Sequence, residues 1–147
     1  MNITKPLSGK TLVVTRSFEQ SEPLSSELVN MGAKVISLPL ITIAEPADDG
    51  KELEEKVKDF EVYKWVIATS PNGAKRLLKM MQVVGKSNCP RVAVIGRSTA
   101  EVFTQSGIAV DLVPEKTFSE GFLEVFPKAT EEGDRILLVQ AEKARSL

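Results

Sequence analysis

Hydroxyl, amide and cationic side chains recur in this sequence where apolar runs give way to helical spacing. The stretches are TRSFE, TSPNGAK, GRSTAE, PEKTFSEG and QAEKAR. Ser70 and Asn72 precede Ala74, Ser98 and Thr99 precede Ala100, and Thr117 and Ser119 precede Phe122, with Arg16, Arg97, Lys116, Lys143 and Arg145 nearby. Two chemistries suit the pattern. Ser, Thr and Asn cap helix N-termini for about 1 kcal/mol each, so the plainer expectation is that each serves its own helix. If the corners share one rim, first-turn N–H groups and helix dipoles favour negative charge by about 0.3 to 1 kcal/mol each. A polyanion touching several corners would then accumulate affinity that one corner alone could not supply.

Other chemistries are excluded by what is missing. The chain has no histidine and a single cysteine, Cys89, so Ser-His-Asp triads, a disulfide framework and Cys or His zinc sites are ruled out. Cys89, beside Pro90, is expected to be an inert or surface thiol. The phosphate loop G-x-x-x-x-G-K-[ST] and the dinucleotide G-x-G-x-x-G are both absent, and the lone glycine of VIGRSTAE does not replace them. Glu52 with Glu55, and Glu131 with Glu132, read as solvated faces rather than an acid/base pair. No cofactor or metal is expected.

These corners need a scaffold. Across 147 residues, 42% are hydrophobic and 27% charged, with 19 Lys+Arg against 20 Asp+Glu, the balance of a globular protein. Without a basic excess, nucleic acid is not an expected partner. No apolar run reaches the roughly 18 residues of a membrane helix, and MNITKPLSGK lacks a signal-peptide core, so the expectation is a cytoplasmic protein.

Strand-length apolar runs alternate with helical spacing. TLVVT precedes Leu24, Leu28 and Met31 on one helix face, with Pro23 expected in the first turn and Gly32 as the stop. AKVISLPLITI reads as extended, Pro39 demoting part of it to an edge strand or connector. Leu53, Val57 and Phe60 mark a second helix. WVIAT is a buried strand, with Trp65 in the core and Tyr63 at the end away from the corners; Ala74, Leu77, Leu78 and Met81 form the next stripe. RVAVIG feeds a helix with Ala100, Val102 and Phe103 that ends at Gly107. AVDLV leads to a short helix with Phe122, Leu123 and Phe126, and RILLVQ opens a last unit whose helix begins at Glu142.

Continuously apolar strands alternating with helices imply an α/β fold: a parallel, doubly wound, flavodoxin-like or Rossmann-like sheet with helices on both faces. Ligands of such sheets bind at the carboxyl ends of the strands, where these corners gather. One reading open at this point is a self-contained binding or regulatory domain of six strands without chemistry, TLVVT pairing with the rest in one sheet. Another is a nucleotide-binding module.

The same stretches resemble uroporphyrinogen-III synthases. GKTLVVTRSFEQSEPLSSELVNMGAKVISLPLITI is similar to that family's "VTRP..Q...L...L...GA.V...PLI.I" opening, and WVIATSPNGAKRL to its "D.vvFTS.NGv..f" corner. RVAVIGRSTAEVFTQSGIAVDLVPEKTFSEGF resembles "vaavG..Ta..L...G...d.vP....aegL", and RILLVQAEKARSL resembles "vLlprge.aR..L". The match runs along nearly the whole chain in order and spacing. Gln140 and Ala141 depart from the pattern, standing where the family has arginine and glycine.

The resemblance implies a cytosolic, cofactor-free enzyme that cyclises linear hydroxymethylbilane to uroporphyrinogen III, inverting ring D through a spirocyclic intermediate and losing water. That substrate carries eight carboxylates, the polyanion the corners ask for. The resemblance also implies two α/β domains joined by a two-stranded connector, with residues 1–37 as the first βα unit of domain one and 38–147 as domain two, ending as its last helix begins. On that template most of domain one lies outside this chain. The chain alone is then expected to be weak or inactive: monomeric in its full-length form, a swapped oligomer as a fragment. Thr99 matches a threonine of the family and is assigned substrate hydrogen bonding rather than proton transfer, having no neighbouring base. Ser70, Asn72, Gly73, Gly96, Ser98, Thr117, Ser119 and Gly121 are candidates for carboxylate binding, with Arg16 and Arg145 as further ones.

Overall fold

The computed structural model describes residues 5–127 and 133–141. The chain forms two compact units, Met1–Glu45 and Pro46–Leu147.

The first unit is a parallel β-α-β turn of chain: strand β1 (Thr11–Val14), helix α1 (Phe18–Asn30) and strand β2 (Lys34–Ser37), with Val13 opposite Ile36. Gly32, at φ +96°, ends α1 in a conformation that favours glycine, and a Cβ there would lie 2.8 Å from the Lys5 Cβ. Pro23 is not in the first turn, contrary to expectation. The helix starts directly after Ser17, so Pro23 lies inside it. The lost N–H and the ring's clash with the preceding turn are tolerated mid-helix here at a cost in stability. β2 stops short of Pro39, although Leu38 N–H still donates to Val14 O and Leu40 N–H to Thr15 O. The register partners Val13 and Ile36 are 53% and 45% exposed. A parallel sheet is normally covered on both faces, and this one keeps an apolar face open.

The second unit carries α2 (Lys51–Lys58), a 3-10 turn (Phe60–Val62), β3 (Trp65–Ala68), α3 (Pro71–Val84), β4 (Arg91–Val94), α4 (Arg97–Gln105), α5 (Ser119–Val125) and β5 (Ile136–Val139). Its sheet is parallel in the order β4-β3-β5, with Ala68 opposite both Val94 and Val139. β3 is buried at every position, as its unbroken apolar run requires of a central strand. On one face Val66, Ala68, Val92, Val94, Leu137 and Val139 meet Val57, Phe60, Ala74, Leu77, Met81 and Phe103 from α2, the 3-10 turn, α3 and α4. On the other, Trp65, Ile67 and Ala93 pack on Phe122 of α5. Burying side chains such as Leu77 and Phe103 completely stabilises the fold by about 1.5–3 kcal/mol each.

The expected α/β fold is therefore present, with helices on both faces of the larger sheet. AVDLV, expected as a strand, makes only a single parallel bridge, Ala93 to Leu112. The Asp111 carboxylate accepts from Val92 N–H at 2.8 Å, taking a place that a strand carbonyl would fill. β1 pairs with β2 in a sheet separate from β3, β4 and β5, so the single six-strand sheet is not what forms. The helix expected from Glu142 lies outside the described residues.

Candidate functional site

Because β3, β4 and β5 end in register at Ala68, Val94 and Val139, the chain leaves the sheet along one rim, and the following corners start there. At the first, Ser70 is the N-cap of α3: its Oγ accepts from Gly73 N–H at 3.2 Å, while Ala74 N–H reaches Ser70 O at 3.0 Å. Pro71 fills the next position, where a missing N–H costs nothing. Gly73 brings this turn against the end of β5, since a Cβ there would lie 3.4 Å from both Val139 O and Val139 Cγ1. Thr69 ties the same two strands together: its N–H donates to Val139 O at 3.3 Å and its hydroxyl to the same oxygen at 3.4 Å.

At the second corner the helix begins earlier than the spacing suggested. Gly96 is the N-cap of α4, and Ser98 and Thr99 lie inside its first turn rather than before it. The ladder opens with Thr99 N–H and Ala100 N–H both donating to Gly96 O, so Arg97 and Ser98 present N–H groups ahead of the first helical bond. A Cβ on Gly96 would meet nothing within 4 Å, so the space above this helix start is open. Ser98 is exposed, whereas Thr99 is only 2% exposed.

The third corner follows the Leu112 bridge, which holds the chain beside β4. Phe118, not a hydroxyl residue, is the N-cap of α5; Ser119 is the first helical residue and Thr117 stands exposed before it. Gly121 packs on Lys116, whose Nζ donates to Glu124 Oε2 at 2.7 Å. Capping by a side chain thus explains Ser70 and leaves Ser98, Thr117 and Ser119 without that role.

The structure brings Ser70, Asn72, Gly73, Gly96, Ser98, Thr99, Thr117, Ser119 and Gly121 to the carboxyl rim of the second unit. Arg16 lies exposed in the first unit after β1. Beside it Ser17, the N-cap of α1, is buried with its Oγ unpaired, a residue the sequence reading passed over. Arg145 falls outside the described residues.

Next to the Gly73 turn a cavity of about 500 Å³ opens between the start of α2, α3 and the end of β5. Its wall includes Lys56, Arg76, Leu53 and Val139, with Gln140 and Ala141 at the rim. Lys56 and Arg76 had not been singled out, because each sits one turn into an amphipathic helix, where a cation reads as solvent-facing. The Asp48 carboxylate is lowered in pKa, chiefly by the Glu52 N–H and then the Gly50 N–H, which it accepts at 2.8 and 2.9 Å at the start of α2. No group of three or more His, Cys, Asp or Glu residues suited to a metal occurs among the described residues.

Residues 22–147 match the family model described as uroporphyrinogen-III synthase HemD. The chain belongs to the uroporphyrinogen-III synthase family. A uroporphyrinogen-III synthase of Synechococcus elongatus is 31% identical over 141 residues, covering 94% of this chain and 53% of that protein. A porphyrin biosynthesis protein HemD of Ruminiclostridium josui is 27% identical over 115 residues, 76% of this chain and 23% of that protein. The chain thus spans about half the length of the first of these relatives, and less of the second. In fold it is similar to the uroporphyrinogen III synthase of Thermus thermophilus, with a TM-score of 0.58 at 14% identity over 92% of this chain and 53% of that one. A mutant form of the same Thermus enzyme gives a TM-score of 0.63 at 13% identity, over 88% and 60% of the two chains. No described helix is long and apolar enough to cross a membrane.

Proposed function

We propose that this chain acts in the synthase reaction of its family, the cyclisation of hydroxymethylbilane to uroporphyrinogen III with inversion of ring D and loss of water, and works in the cytoplasm without a cofactor. The observation that carries the reading is the shared rim: two helix starts at the ends of the in-register parallel strands β3 and β4 and a third beyond the Leu112 bridge, the last two without a side-chain cap. Carboxylate arms of the substrate take hydrogen bonds from first-turn N–H groups near Asn72, Gly96, Ser98 and Ser119, with the hydroxyls of Ser98, Thr117 and Ser119 adding to them; Arg16 and Arg145 are separate candidates for carboxylate binding. Gly73 and Gly121 hold the corner backbones close to their neighbours. Thr99, 2% exposed in the first turn of α4, is assigned substrate hydrogen bonding rather than proton transfer.

In this reading residues 1–37 and 38–147 belong to two domains, and catalysis is positioning: closure folds the bilane so that its terminal pyrrole attacks the substituted carbon, while fixed dipoles stabilise the developing cation and leaving hydroxide. The uncovered Val13–Ile36 face of the smaller sheet supports the further proposal that this chain self-associates. The decisive assay incubates the chain with hydroxymethylbilane, beside an enzyme-free control, and separates the ring-D-inverted product from the uninverted one. Inverted product above control, lowered roughly tenfold by Thr99→Val and restored by Thr99→Ser with an unchanged pH profile, is expected. Failure to bind any octacarboxylic tetrapyrrole would remove the proposal.

A further inference from the structure

Only two of the nine glycines follow an Asn or an Asp, in the pairs Asn72-Gly73 and Asp49-Gly50. Such pairs are chemically weak points of a chain. The glycine nitrogen can attack the side-chain carbonyl carbon of the residue before it, and the missing Cβ leaves its approach unhindered. At Asn72 a bond forms from Gly73 N to Asn72 Cγ, the Cγ–Nδ2 bond breaks, and ammonia leaves with the proton that the glycine nitrogen gives up. Water then opens the cyclic imide on either side, giving aspartate or its isoaspartyl isomer. At Asp49 the same closure expels water in place of ammonia, and reopening returns aspartate or isoaspartate.

In this fold both nitrogens are engaged. Gly73 N–H donates to Ser70 Oγ at 3.2 Å, and Gly50 N–H donates to Asp48 Oδ1 at 2.9 Å. The two contacts belong to different elements, the starts of α3 and α2. Ring closure needs the nitrogen stripped of its proton and swung onto Cγ, whereas a capping acceptor keeps the proton in place and the turn in its helix-start geometry.

We propose that Ser70 and Asp48 are chemical guards, which protect Asn72 from deamidation and Asp49 from isomerisation by holding the Gly73 and Gly50 N–H groups. The inference does not depend on the synthase reading. It gives two capping side chains a role besides helix stability, and it makes Asn72 a modification site that opens when the first turn of α3 frays. Conversion adds a carboxylate to the rim, and the isoaspartyl form also lengthens the backbone of a turn that Gly73 packs against Val139.

The test ages the 147-residue chain in mildly alkaline buffer and follows both pairs by peptide mass spectrometry and isoaspartyl methylation. Wild type, Ser70→Ala, Ser70→Thr and Asp48→Ala are compared, each shown by circular dichroism to be folded, with urea-unfolded wild type giving the unguarded rates. In the folded wild type both reactions should run at least about tenfold slower than in the unfolded chain. Ser70→Ala should speed deamidation of Asn72 roughly fivefold and leave Asp49 unchanged, and Asp48→Ala should do the converse, the factor being that of one lost hydrogen bond. Ser70→Thr keeps a hydroxyl acceptor and should stay near wild type. The crossed design separates guarding from stability, because a variant that merely loosened the second unit would speed both pairs. Acceleration of both pairs by either variant, acceleration of neither, or equal rates in folded and unfolded wild type overturns the proposal. Should Ser70→Ala fail to fold, Asp48→Ala decides it through the same comparison of the two pairs.

Discussion

Gly121 lies so close to Lys116 that a Cβ at position 121 would stand 2.5 Å from the Lys116 Cβ and 2.9 Å from its carbonyl oxygen. The third corner is therefore built by backbone approach, not by a capping hydroxyl. Gly121→Ala should destabilise the second unit by about 1–3 kcal/mol, read from the midpoint of urea unfolding, because the clash is with backbone as well as side chain. Gly96→Ala is the matching contrast: its Cβ meets nothing, and its φ of −142° suits any residue. That variant should fold with wild-type stability within about 0.5 kcal/mol in the same urea measurement.

Ser70 contributes to stability in a way the other corner hydroxyls do not. Its Oγ accepts from Gly73 N–H. Ser70→Ala should cost about 1 kcal/mol in chemical denaturation, whereas Ser98→Ala, on the exposed side of α4, should change stability by less than about 0.5 kcal/mol. Equal losses from the two would mean that both hydroxyls cap.

Asp48 makes α2 sensitive to acid. Its carboxyl titrates below the usual value of 3.8 because the charged form accepts the Glu52 and Gly50 N–H groups. With the folded pKa depressed, the stabilising contribution is present above the unfolded pKa and is lost as pH falls through the folded one. The melting temperature of the wild type should therefore drop more steeply below pH 4 than that of Asp48→Asn, and the two curves should converge in strong acid.

Cys89 should be slow toward thiol reagents. Burial, and then the Asp111 carboxylate, push its pKa up from 9.0 to about 11. Since the thiolate is the nucleophile, alkylation by iodoacetamide at pH 8 should run roughly a hundredfold slower than for an unperturbed cysteine and accelerate toward that of the unfolded chain in urea. Asp111→Asn should raise the rate by removing the second cause. The raised pKa also means that the folded state binds this proton more tightly, so stability falls as pH rises from about 9 through 11.

Much of the local structure was legible because burial on one side leaves a period in the sequence. Ala74, Leu77 and Met81 are spaced for one helix face and are buried on it, and the unbroken WVIA run is a central strand covered on both sides. Gly32, Gly85 and Gly107 end helices at positive φ, a preference written in the residue type itself. The corner hydroxyls could be listed from sequence, but their duties could not. Whether Ser98 caps a helix depends on where α4 begins, and the helix starts at Arg97, three residues before the Ala100 start that the apolar spacing indicates.

What the sequence determined by itself was the set of elements, the apolar face of each and the polar corners between them, since these follow from side-chain periodicity and backbone preference within a few residues. What only the tertiary structure decided was which strands meet: that β1 and β2 form their own sheet, that β5 pairs with β3, that AVDLV yields its place to the Asp111 carboxylate, and that Lys56 and Arg76 share a cavity with Val139. Those pairings join residues far apart in the chain, so they are settled by competition among buried surfaces and backbone partners over the whole unit, which no short window of sequence contains.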